Sequence, residues 1–530
     1  MHVPRLVALP ALACLLLSAL PGYAQNAQLI RQEALRAQPS IIAQRIMEVA
    51  RRSEVRLLET RHGWTRIEAA GGRTGWVPET SLDRSPSPLP ASSQQPFPPS
   101  AARSTPGTLP RASRHALVLT AGTPPATPVG SAADAGLGAA IARLSGVPDA
   151  NIRYRSDADL GTEGLRQSFA ELDARMGDGD QALIYLSATG IHRQEHGQCV
   201  EAILTQSGEA FTLDEMARHL KQLAAKADKV YLILDAGRGE GSVGATAISP
   251  RFAPQFSSPG CRTTPPATEL SRLPPNVLVL TASRPNENAG GTPAGGLFST
   301  ALQACLSGNP VPDSPSGLST GEALAACSRQ LIATSAGTQH PGLVGNGELL
   351  PALPSVTKPP RDARLVLRVI HAQRDQQRRV ELAQLSATTP GMRRLRVTSS
   401  TPGYLYVLSA APGGRDFRLL YPTPDSQQAP LPRSAELEIP LSGEAAQDTE
   451  WLVLVSDAAR NPRRAGFTSD GPHGRLPADG PGVNGLIHEF LSGDGSRTCL
   501  FSETRNLGPT QALACSSRFG ATLLGATHPK

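Results

Sequence analysis

Between residues 113 and 350 four apolar, β-compatible runs alternate with helical patterns, and that alternation restricts the fold more than any other feature. The runs are His115–Leu119, Ala182–Ser187, Val230–Leu234 and Val277–Thr281. Between them, Leu165, Phe169, Leu172 and Met176 recur at helix spacing, as do Leu213, Met216, Leu220 and Leu223. The second helix opens with Thr212 and Glu215, spaced as a capping box. Strands that are apolar throughout, separated by helices, imply a mostly parallel sheet covered on both faces. The stretch Val230–Gly241 is the sharpest case: an apolar run stops at Asp235 and a Gly-rich turn follows. Open α/β sheets build their sites at the carboxyl ends of such strands, which here delivers Asp235, Gly237 and Arg238.

At 530 residues the chain is long enough for about three domains. Its 50 glycines and 48 prolines call for many turns and at least one unstructured linker. The 51 basic and 45 acidic residues are dispersed, so the net +6 forms no basic stripe and nucleic acid is excluded as an expected partner. Residues 1–24 have the pattern of an export signal: His2 and Arg5, an apolar core from Leu6 to Leu20, and a small-x-small end at Gly22-Tyr-Ala24. The core is too short to span a bilayer, and no second apolar stretch follows. A periplasmic or secreted location is therefore expected. Removing the signal leaves Cys199, Cys261, Cys305, Cys327, Cys499 and Cys515, an even set that favours disulfides. Neighbour spacing suggests Cys305–Cys327 and Cys499–Cys515, leaving Cys199–Cys261, although sequence alone does not fix the connectivity.

Residues 25–83 contain short runs at Ile46–Val49, Val55–Leu58, Trp64–Ile67 and Thr74–Val77, a small β unit. The elements Leu35-Arg-Ala-Gln-Pro-Ser40, Gly63-Trp64 and Thr74-Gly-Trp-Val77 resemble the bacterial Src-homology-3-type domain. That resemblance implies a small all-β barrel that binds cell-wall peptides or other proteins. Trp64 and Trp76 are the candidate groove residues, against the alternative that they fill the core of a small barrel. Residues 84–112, with eight prolines among Ser, Ala and Gln, form a semi-stiff linker. Beyond Lys358-Pro-Pro360 the pattern turns all-β, with runs at Leu365–Ile370, Leu395–Thr398, Tyr404–Leu408, Phe417–Tyr421, Ala435–Ile439 and Trp451–Val455. Residues 361–530 are thus expected to form a β-sandwich with a Gly/Pro-rich insertion over 461–493. Pro402-Gly-Tyr-Leu-Tyr406 and Leu419-Leu-Tyr-Pro422 resemble an uncharacterised β domain of bacterial envelope proteins, with Phe519-Gly-Ala521 as its closing strand.

Several segments of 113–350 resemble the caspase and metacaspase family of cysteine peptidases, in family order. Asp134-Ala135 leads the first helix, followed by Asn151-Ile-Arg-Tyr154. Asp180-Gln-Ala-Leu-Ile-Tyr-Leu-Ser-Ala-Thr-Gly190 stands where the family has a strand ending Tyr-Tyr-Ser-Gly-His-Gly. Val230–Gly241 stands where it has a strand ending Asp-Ala-Cys-Arg-Ser-Gly. Leu280-Thr-Ala-Ser283, Asn288-Ala289 and Gly296-Leu-Phe-Ser-Thr-Ala-Leu302 match the last strand and helix. The resemblance implies a caspase-like three-layer α/β/α domain with a mostly parallel sheet. It also implies that Asp134 and Asp235 belong to a cleft receiving a basic side chain, the alternative being a turn cap and a helix start.

The chemistry that the resemblance brings is missing from the residues. A cysteine peptidase needs a thiol of lowered pKa and an imidazole beside it. The family's His position is occupied by Thr189 and its Cys position by Gly237. Glycine has no side chain, and a threonine hydroxyl does not act as the base near neutral pH. Substitutes are limited: His192 and His196 on a solvated loop, and Cys199 or Cys261 if they are not paired. His192-x3-His196-x2-Cys199 has metal-like spacing but lacks a fourth ligand, so neither a metal nor a cofactor is expected. The leading expectation is an exported caspase-like pseudopeptidase that binds a peptide or protein, with cell-wall peptidoglycan as a further candidate partner. The alternatives are a divergent cysteine endopeptidase with a relocated Cys/His pair, and a wall-anchored structural protein.

Overall fold

The computed structural model describes residues 26–83, 113–491 and 518–525, apart from short internal stretches that include 122–129, 241–247, 262–268, 424–433 and 441–448. The signal-like segment, the linker 84–112 and the Cys499–Cys515 pair lie outside the described residues. Two compact units are present, 1–105 and 106–530.

In the first unit, seven short strands between Asn26 and Asp83 pair antiparallel throughout. Their inward residues, including Leu29, Leu35, Val55, Ile67 and Val77, make one small core. Trp76 is 8% exposed, while Trp64, at the head of its strand, is half-buried.

The second unit is built on a mixed sheet of mainly parallel strands. We label them β1 (Arg114–Ala121), β2 (Ile152–Ser156), β3 (Gln181–Glu195), β4 (Gln198–Leu204), β5 (Ala210–Thr212), β6 (Lys229–Asp235), β7 (Val277–Thr281) and β8 (Gly342–Gly345). The spatial order β2-β1-β3-β6-β7 is parallel, and β8 closes the edge antiparallel. The helices are α1 (Ser131–Leu144), α2 (Thr162–Arg175), α3 (Leu213–Ala224), α4 (Leu297–Leu306) and α5 (Gly321–Ser335). Leu117, Ile184, Leu232 and Val279 point into a core shared with α2 and α3. Their neighbours Val118, Leu183, Ile233 and Leu280 point the other way, into a core shared with α1, α4 and α5. Both faces are covered, which is why these runs carry apolar residues at every position. Thr212 caps α3 as read, its Oγ1 accepting from the Glu215 amide at 3.2 Å, while the Glu215 carboxylate accepts from Arg166.

Strand β3 outruns its expected end. Past Ala188 it leaves the parallel sheet and turns back through β4 as a hairpin, pairing Thr189 with Leu204 and His192 with Glu201. Gly197, with φ +79°, takes the left-handed turn position. The hairpin corrects the reading of His192 as a solvated side chain: it is 5% exposed.

The region after residue 361 is layered, with helices as well as strands. Leu365–Ile370, expected as a strand, lies in helix α6 (Ala363–Ala372). Asp362 caps it by accepting from the Arg364 amide at 2.9 Å, and Ala363, Val366, Leu367 and Ile370 share its buried face. A six-residue apolar run does not separate strand from helix, and here the cap and the i, i+4 spacing decide. The six-stranded antiparallel sheet holding Tyr404–Ala410 and Glu450–Ser456 packs one face on α6. Its other face meets a three-stranded sheet across Val407, Leu395 and Trp451. Most of the expected insertion 461–493 is folded, over residues 461–491: the Gly480–Leu491 helix sets Val483, Leu486, Ile487 and Phe490 into the same core as α6. Phe519–Leu524 pairs along Glu450–Ser456.

Candidate functional site

The carboxyl ends of β1, β3 and β6 lie level, with Ser187 registered against both Thr120 and Asp235. Asp134 enters from the first turn of α1. Neither carboxylate is exposed at all, and the group between them is Arg251, also 0% exposed. Arg251 Nη2 donates to Asp134 Oδ2 at 2.7 Å, and its Nη1 lies 3.4 Å from Asp235 Oδ1. Ser187 Oγ accepts from Arg251 Nη1 at 2.8 Å and donates to Asp134 Oδ2 at 2.6 Å. The Gly296 amide donates to Asp134 Oδ1 at 2.7 Å. Asp235 Oδ2 accepts from the Ser299 hydroxyl and from the Ser299 amide. The hydroxyl of Tyr185 stands 2.7 Å from the same Ser299 Oγ.

One guanidinium between two carboxylates leaves the cluster acid-rich. Burial raises the Asp235 carboxyl above its usual range; Arg251 opposes the rise and Asp134 adds to it. Burial works against the Arg251 cation, yet the attraction of Asp235 and Asp134 holds its pKa above the ordinary arginine value. Burial likewise pushes the Tyr185 phenol well up, with the two nearby carboxylates reinforcing it. The two acids share a single guanidinium, and it belongs to the chain itself.

The two positions that the resemblance singles out, 189 and 237, lie on β3 and just past the end of β6. Gly237 follows β6, and Gly190 follows Thr189 on β3. A Cβ on Gly237 would meet Asn288 Oδ1 at 2.6 Å, Phe252 Cβ at 2.8 Å and the Arg251 carbonyl carbon at 2.9 Å. A Cβ on Gly190 would stand 1.8 Å from the Gly237 carbonyl oxygen. Both glycines are demanded by this close approach of backbones. Thr189 is 4% exposed within the hairpin.

His192 Nε2 is 3.0 Å from the Arg238 carbonyl oxygen, and Nδ1 is 3.3 Å from that of Cys261. Its ring meets Phe252 edge-on at 4.8 Å. Arg238 forks onto Glu201 with bonds of 3.0 and 2.7 Å, both residues being buried. Cys199 and Cys261 form a disulfide, as do Cys305 and Cys327, matching the spacing argument for those pairs. No group of three or more metal-ligating side chains occurs among the described residues.

The structure thus brings together Asp134, Asp235 and the flank of Gly237, whereas Trp64 and Trp76 belong to the first unit. Sequence reading missed Arg251, Ser187, Ser299 and Glu201. Ser187 and Ser299 lie inside the motifs quoted for the resemblance, which is the one signal that could have flagged them.

The family model of the bacterial SH3 domain matches residues 34–83, in agreement with the small antiparallel unit around Trp64 and Trp76. No curated protein matches the chain. Among solved structures, a crystal structure of a protein from Geobacter sulfurreducens overlaps 44% of this chain and 94% of its own at 15% identity and a TM-score of 0.34, too loose to transfer a fold. No helix among the described residues is long and apolar enough to cross a membrane. A bacterial SH3-type domain joined to a disulfide-bonded unit marks an extracytoplasmic protein.

Proposed function

We propose that this is an exported, caspase-like pseudopeptidase that binds a peptide or protein partner and scaffolds in the bacterial periplasm or cell envelope. The observation that carries the reading is the environment of Gly237. The family's nucleophile position has no side chain, and Asn288, Phe252 and Arg251 leave no space for one. Thr189 supplies no base at the other position. The disulfide between Cys199 and Cys261 weighs against a relocated thiol, because a paired sulfur is not a nucleophile of this kind. The three-layer arrangement of β1–β8 with α1–α5 supports the caspase-like assignment, and the SH3-type unit supports a second point of attachment, to peptidoglycan or to a protein.

The purified full chain is expected to leave fluorogenic peptides ending in Arg, Lys or Asp uncut. Hydrolysis that disappears when the cysteines are changed to Ser in a folded variant would overturn the proposal. Co-sedimentation with peptidoglycan should fall for Trp64→Ala while the unit stays folded; unchanged sedimentation removes wall binding through Trp64.

A further inference from the structure

The segment Ser249–Ala253 crosses the carboxyl ends of β3 and β6, and its contacts match those of a bound peptide group by group. The Arg251 carbonyl oxygen accepts from two backbone amides, Gly190 at 2.8 Å and Gly237 at 2.9 Å. Two amides converging on one carbonyl oxygen are the donor arrangement of an oxyanion hole. On the other side, the Arg251 amide donates to the Ala289 carbonyl at 2.8 Å and lies 3.1 Å from Asn288 Oδ1. The Ala253 amide donates to the Gly190 carbonyl at 2.9 Å, and Gly190 and Phe252 form a parallel bridge. Main-chain bonds of this kind are how an added strand is recognised. The side chain then completes the set, its guanidinium running between Asp134 and Asp235.

The direction of Gly237 adds an independent constraint. The point where its Cβ would sit is 2.9 Å from the Arg251 carbonyl carbon. A side chain at residue 237 would therefore start from beside the Arg251–Phe252 peptide bond. A purely structural arginine requires a partner for its guanidinium. It does not require its carbonyl in a two-amide cradle, nor that carbonyl carbon facing residue 237. A buried ion cluster is also weak support for stability compared with well-packed apolar residues.

We infer that Ser249–Ala253 is an intramolecular pseudosubstrate: Arg251 is docked as the arginine of an extended peptide would be, and a partner peptide enters the cleft only by displacing it. The inference rests on the caspase-like reading of this cleft as a peptide site. With glycine at residue 237 the bound bond meets no nucleophile, so the segment stays intact and resident.

The test uses the full chain carrying Arg251→Gly and a labelled, end-capped pentapeptide with the sequence of Ser249–Ala253. The variant should bind the peptide at least about tenfold more tightly than wild type, the size of a charge-assisted contact. Replacing the peptide's arginine with citrulline, which keeps the shape and removes the charge, should abolish the gain. A folded variant that binds no better than wild type, or that binds the citrulline peptide equally, overturns the inference. If Arg251→Gly does not fold, Arg251→Gln keeps a polar side chain, removes the charge and is read by the same comparison. Hydrogen exchange on wild type gives a variant-free reading. Excess pentapeptide should deprotect the amides of residues 251–253 while Gly190 and Gly237 stay protected, and unchanged protection overturns the inference. The two readings fail separately. Cleavage of the pentapeptide sinks the pseudopeptidase proposal and leaves the docking mode standing, whereas absent binding without cleavage sinks only the pseudosubstrate.

Discussion

Two buried arginines flank Gly237, and they are held in opposite ways. Arg238 meets one carboxylate, Glu201, in a two-bond fork that closes its charge account locally. Arg251 is shared between Asp134 and Asp235, with Ser187 at its side and further donors at Gly296 and Ser299. The first arrangement is a matched pair with its carboxylate devoted to one arginine. In the second, each carboxylate keeps other donors when the arginine is taken away, Ser187 and Gly296 for Asp134 and Ser299 for Asp235. The difference separates a one-to-one ion pair from a cluster in which one guanidinium is shared by two acids.

The comparison breaks if the two arginines respond alike to removal. Arg238→Ala leaves the Glu201 carboxylate buried without its fork, and should lower stability by about 4 kcal/mol in urea unfolding. Arg251→Met should cost less, about 2 kcal/mol near neutral pH, because the carboxylates retain amide and hydroxyl donors. Its cost should also shrink in acid. The folded-state pKa of Asp235 lies above its unfolded value, so the stability it contributes is fully present below the unfolded pKa and is lost as pH rises through the folded one. Equal losses, or a pH-independent loss at residue 251, would erase the distinction.

A fourth carboxylate sharpens the point. Asp457 faces Arg378 at 3.2 Å and feels Arg460 and Arg518, yet burial lifts its pKa to about 6 against those cations. Its contribution to stability should therefore decline between about pH 4 and about pH 6, and Asp457→Asn should remove a change of about 3 kcal/mol across that range. Urea midpoints across the range measure it. An unchanged slope would mean that neighbouring cations, not burial, set the charge of acids in this unit.

These residues also show where sequence reading succeeds and stops. The sheet was legible because β1, β3, β6 and β7 are packed on both faces, which forces apolar residues at every position. Asp134 and Asp235 were legible through their frames. Arg251 was not: Ser-Pro-Arg-Phe carries no periodicity, and its meaning comes from convergence with residues 134, 187 and 235, far away in the chain. His192 was misplaced for the same reason, since the hairpin that buries it depends on pairing with β4. Leu365–Ile370 failed differently, as a short apolar run that fits both secondary structures.

The Cys199–Cys261 bridge has a consequence for ligand competition. It spans 62 positions of sequence, and Arg251 lies inside that covalent ring, ten residues before Cys261. A ligand tethered this closely acts at an effective concentration on the order of millimolar or above. On the pseudosubstrate reading, a free peptide displaces the segment only where its concentration relative to its own dissociation constant exceeds that of the tethered one. Partners that arrive crowded or multiply attached reach that point first, so the cleft would respond to local density rather than to single peptides.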